Sequence, residues 1–171
     1  MRFSLRSSVF VAVVAVALVS FPLIGRSSPD SPKNGGVAIT RVYTGWKEGA
    51  SFKRISEYFS GKENTGGTIV LRTHPDQRSG FYFLVRASNP GAPVPVKISL
   101  ELITPTDTKP KTYTFSADLK NGQNLLDLGL TADDWPDAKA NPVAWKIDFL
   151  GSGDSVLASE KSYLWERPVT K

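Results

Sequence analysis

The chain has 171 residues, 40% of them hydrophobic, which is enough for one domain with its own core and gives no case for two. Its 21 basic and 16 acidic residues leave a charge of +5; outside Arg2 and Arg6 the cations are interspersed with acids, not gathered into the stripe that nucleic-acid binders show, so nucleic acid is not an expected partner. There is no cysteine, which removes disulfides, thiol catalysis, thiolate metal sites and a lipid-attachment residue, and leaves stability to the core alone.

The N-terminus reads as an export segment. Arg2 and Arg6 precede residues 9–19, an apolar run without a polar interruption, the build of a secretory signal. A spanning helix wants about 20 apolar residues, and Ser20 and Pro22 interrupt any extension of this run. Residues 1–25 are therefore expected to be a signal peptide, with Ser20 or Gly25 as the small residue at the cut, or else an uncleaved anchor; membrane contact is expected only through such an uncleaved leader. The remainder is expected outside the cytoplasm, in the periplasm, at the cell surface or secreted. Residues 26–36, polar and rich in Pro and Gly, read as a flexible linker to a domain over 37–166, with a loose tail at 167–171.

Within the domain, residues 37–46 alternate well enough for a first strand. In residues 47–67, Ser51 is placed to cap a short helix, Phe52, Ile55, Tyr58 and Phe59 fall three to four apart, and Gly61 is placed to end it. Residues 68–73 form a second strand. The organising strand follows at 81–86, Phe-Tyr-Phe-Leu-Val-Arg, between clusters of turn formers. Alternation puts Phe81, Phe83 and Val85 on one face and Tyr82, Leu84 and Arg86 on the other. An outer face carrying Tyr82 and Leu84 needs a cover, and the 47–67 segment is expected to supply it. Failing that, Tyr82 and Leu84 would mark a surface for a partner or for self-association.

Residues 93–104 give the clearest period of two, with Val94, Val96, Ile98, Leu100 and Leu102 on one face. A turn over 105–110, a short strand at 111–115, a turn at Asn121-Gly122 and a strand at 124–130 follow. Thr131 to Pro136 suggests one turn of helix with Thr131 as its cap. Residues 143–150 alternate with Val143, Trp145, Ile147 and Phe149 inward, and a hairpin through Gly151 to Asp154 leads to a last strand over 155–165. About eight strands joined by short turns predict an all-β, antiparallel two-sheet sandwich, immunoglobulin-like in preference to a jelly roll.

Reactive groups are sparse. His74, the sole histidine, lies at a strand end with no nucleophile elbow in the chain, and reads as a solvated loop residue. Asp133, Asp134 and Asp137 are hard oxygen donors, but Trp135-Pro136 breaks the alternate spacing a calcium loop needs, so no metal or other cofactor is expected. Trp135 beside these three acids is the best aromatic for stacking on a sugar, although a turn tryptophan more often plugs the open end of a sandwich.

The segments Arg78-Ser-Gly-Phe-Tyr-Phe, Val143-Ala-Trp-Lys-Ile-Asp and Ser162-Tyr-Leu-Trp resemble small secreted bacterial proteins of immunoglobulin-like sandwich type. The chain is also similar to exported proteins encoded with type IV pilus-like clusters in mucus-dwelling Verrucomicrobia. That resemblance implies a non-enzymatic envelope or pilus accessory that contacts an envelope or pilus protein and can form a homo-oligomer. The chain departs from a true pilin, having no Gly-Phe-Thr-Leu-x-Glu processing signature before residues 9–19. The expected function is thus a non-catalytic exported module working by protein contact, with a carbohydrate-binding module through Trp135, Asp133, Asp134 and Asp137 as the alternative.

Overall fold

A computed structural model describes residues 36–166; the leader at 1–25, most of the linker and the tail at 167–171 lie outside them. The strands are β1 (Ala38–Lys47), β2 (Ile69–Arg72), β3 (Gly80–Asn89), β4 (Val94–Thr104), β5 (Asp107–Leu119), β6 (Gly122–Thr131), β7 (Ala144–Leu150) and β8 (Val156–Lys161). One short helix, α1 (Ile55–Ser60), lies between β1 and β2. Two four-stranded sheets result, in the orders β1-β3-β6-β2 and β5-β4-β7-β8. The run β1-β3-β6 matches strands A, B and E of an immunoglobulin-type sandwich, and β5-β4-β7-β8 matches C′, C, F and G. The expected sandwich is therefore present, in its immunoglobulin-like form and not as a jelly roll.

The core follows from alternation. Phe81, Phe83 and Val85 of β3 stand in register with Leu130, Leu128 and Leu126 of β6, and all six are buried. From the other sheet, Ile98 of β4 lies between Phe115 of β5 and Phe149 of β7, while Leu100 lies between Tyr113 and Ile147. Val96, Ile98, Leu100 and Leu102 are buried as the period of two requires. Trp145 turns its edge to Phe83 across the sheets, 5.8 Å between centroids.

Several details depart from the sequence reading; among them, Val143 is 46% exposed instead of inward, and the last strand ends at Lys161 instead of 165. The β1–β3 register shifts between Ile39 and Arg41, so Ile39 faces the core but Val42 and Trp46 take over that face afterwards. Tyr43 is thereby turned outward, 45% exposed; one extra residue reverses the parity of everything after it. β2 pairs with β6 in parallel, so the sheets are not wholly antiparallel. β5 is far longer than residues 111–115, because Thr104 pairs with Asp107 across a two-residue turn. It is an edge strand, which is why Pro110 fits inside it, with Lys109 and Lys111 on either side. Finally, Thr131 does not cap the 3-10 turn Ala132–Asp134. Its hydroxyl accepts from the His74 amide at 3.0 Å and so ties β6 to the end of β2.

Leu100 is fully buried at the centre of its sheet, so Leu100→Ala is expected to destabilise the domain by about 2–5 kcal/mol. A shift of the urea midpoint without a change in slope is the measurement that checks this.

Candidate functional site

The outer face of the first sheet is built around Tyr82. Its cross-strand neighbours are Gly45 on β1 and Gly129 on β6, and the ring lies so close over Gly129 that a Cβ there would overlap it. The ring is thereby pressed flat onto the strand, and Tyr82 is only 1% exposed although it points away from the core. Phe52, at the end of the 3-10 turn Gly49–Phe52, covers it with 4.8 Å between centroids. Lys47 Nζ stands 5.3 Å from the Tyr82 centroid and 5.4 Å from that of Phe52, and Arg72 Cζ stands 4.9 Å from Phe52. Two cations thus sit against two rings tilted at 46° to each other, a favourable arrangement when partly desolvated.

Polar contacts complete the cover. The Tyr82 hydroxyl donates to the Arg78 carbonyl at 2.8 Å and accepts from Arg72 Nε at 2.9 Å. Arg72 forks onto Glu63 through two bonds of 2.6 and 2.9 Å, and Arg78 binds Glu57 of α1 at 2.8 Å. Lys47 bridges to the buried Asp127 of β6 at 2.7 and 2.8 Å. These partners set the ionisation: the Arg72 and Arg78 guanidiniums hold the Glu63 and Glu57 carboxyls below their ordinary value, while burial pushes the Tyr82 phenol up. A cleft of about 480 Å³, bordered by Lys47, Phe52, Arg54, Glu63 and Asp127, opens beside this cluster.

The 47–67 segment therefore covers Tyr82 as expected, but by one of its four large apolar residues, Phe52, and not by all four. Ile55, Tyr58 and Phe59 of α1 point into solvent, 79%, 79% and 88% exposed. Their spacing puts them on one side of the helix, and that side faces away from the sheet. Leu84 stays half-buried between Tyr43 and Asp127, with exposed Tyr43 and Leu125 on the same face. The helix itself begins at Ile55 with Arg54, not Ser51, before its first turn, and Gly61 ends it in the left-handed region as expected. Lys53 and Lys62 flank the exposed side chains and neither has an ion-pair partner among the described residues, whereas the Arg54 guanidinium lies against Gly66 at the cleft and Glu57 and Glu63 are both occupied.

The acidic turn sends its tryptophan inward. Trp135 is 4% exposed, its ring on Phe81 at 4.9 Å and its indole nitrogen buried without a hydrogen-bond partner among the described residues. Sealed in this way it offers no face to a sugar ring; it plugs the end of the sandwich. Asp134 faces His74 Nε2 at 3.2 Å, and Asp137 accepts from the Lys139 amide at 2.8 Å. No group of three carboxylate or histidine side chains converges as metal ligands among the described residues. His74 is not simply solvated, since it meets Asp134, but the nearby Thr73 and Thr131 hydroxyls are engaged with each other and with backbone, so neither is presented to the ring as a nucleophile.

Exposed ridge residues were missed because their spacing looks the same whether a helix packs inward or outward. The flanking Lys53-Arg54 and Lys62 were the available signal, since cations beside an apolar stripe are poorly placed for burial.

No family model matches the chain, and no curated protein matches it. Among solved structures it is similar to an immunoglobulin-like protein from Pseudomonas aeruginosa, at 16% identity over 73% of this chain and 93% of that one, with a TM-score of 0.30. The topology above rests on the sheets themselves.

Because the depressed carboxyls bind fewer protons folded than unfolded, their contribution is fully present above the ordinary value of 4.5 and is lost as pH falls through the depressed values. The α1 segment is thus expected to open on acidification before the β4–β7 core does. Hydrogen exchange of the α1 amides followed from pH 6 downward checks this, and Glu63→Gln is expected to open the segment even at neutral pH.

Proposed function

We propose that this chain is a non-catalytic, exported β-sandwich of the cell envelope, or of a pilus-like apparatus within it, that works by surface contact. The observation carrying the reading is the α1 ridge: three large apolar side chains held almost fully in solvent by a network of ion pairs and an aromatic pair beneath them. Exposing such side chains costs solubility and gains the fold nothing, so a rigid support under them is an investment in contact with something else. The leader sequence at residues 9–19 supports export, and the engagement of the hydroxyls beside His74 supports a role without covalent chemistry. The partner surface lies on α1 and not on Tyr82, which is covered.

Fractionation of the exporting cell tests the reading. The wild-type protein is expected in the envelope fraction, and Tyr58→Ser with Phe59→Ser is expected to move it into the soluble one with the thermal midpoint unchanged. Equal retention of both in the envelope overturns the ridge as the contact surface.

A further inference from the structure

Three side chains set the occupant of the ridge. We propose that Ile55, Tyr58 and Phe59 insert into the headgroup region of a membrane rich in anionic phospholipid, with Lys53 and Lys62 on the phosphates around them. This rests on the reading of α1 as a contact surface and names what it contacts.

The area is small. Two aromatic and one aliphatic side chain offer roughly 500 Å², against about 800 Å² per partner in a stable protein interface. A lipid surface needs no matching shape and accepts a small apolar tip, and tyrosine and phenylalanine are suited to the boundary between headgroups and hydrocarbon.

The charge is complementary. Glu57 and Glu63 are drawn away from the ridge by Arg78 and Arg72, which leaves its rim to Lys53 and Lys62, without ion-pair partners among the described residues. Cations beside an exposed apolar tip are the combination that binds anionic membranes. A second copy docking by the same patch would set this rim against its own symmetry mate, like charge to like charge.

The chain has no cysteine, so a fluorophore on Tyr58→Cys reports the ridge alone. The protein is recovered as exported, with whatever leader it retains, so that any leader contribution is common to every variant. With phosphatidylglycerol vesicles the label is expected to shift to the blue, and with phosphatidylcholine vesicles much less. Phe59→Ser in the labelled chain is expected to weaken binding about tenfold. Lys53→Gln with Lys62→Gln is expected to weaken binding to the anionic vesicles about tenfold and to abolish its salt dependence.

No blue shift with anionic vesicles, or one indifferent to both sets of substitutions, overturns the proposal. If the label then responds to isolated envelopes and loses the response after protease treatment of those envelopes, the partner is a protein and the contact reading of α1 stands without the lipid. A concentration-dependent dimer abolished by Tyr58→Ser with Phe59→Ser assigns the ridge to a second copy instead. A label unresponsive to vesicles, envelopes and self-association alike removes the contact reading as well.

Discussion

The close approach of the Tyr82 ring to Gly129 is the constraint on which the outer face depends. Only glycine on β6 lets the ring lie flat on the strand, and only a flat ring brings its hydroxyl within reach of Arg72 and the Arg78 carbonyl. Phe52, Lys47, Glu63 and Glu57 are then placed by contact with those groups. A backbone allowance of one methyl group thus propagates into the position of a helix that shares no β ladder with the sheet. Most of that propagation runs through charged hydrogen bonds, which are directional, so α1 is held at a defined height although it buries none of its own residues.

Much of the sandwich was legible because its strands bury one face. β4 shows its period of two directly, and the phenylalanines of β3 and the leucines of β6 mark the facing layer. Errors came where the backbone departs from regularity. The register shift after Ile39 inserts no unusual residue, so nothing in composition announces the change of face at Tyr43. The parallel pairing of β2 depends on where a long connection returns, which local pattern does not encode. Pro105 and Pro110 suggested a broad turn, yet the first sits in a two-residue reversal and the second on an unpaired strand side where no amide is missed.

The site was half legible. An aromatic residue on an outward strand position signals a cover, and the segment that covers Tyr82 was found from its apolar content. Which apolar residues did the covering was not, because Lys47 and Arg72 close much of the ring surface that hydrophobic side chains were expected to close. Trp135 was legible in its main sense: a turn tryptophan more often plugs the end of a sandwich, and its indole does reach inward onto Phe81.

β5 carries a consequence of its own. A thirteen-residue strand at the margin of a sheet is a template on which further chains can add, the first step toward fibrils. Lys109, Pro110 and Lys111 spoil that template over its first half by repulsion and by a missing donor. Wherever copies of the chain come close, these three residues set like charge and a missing donor against edge-to-edge pairing.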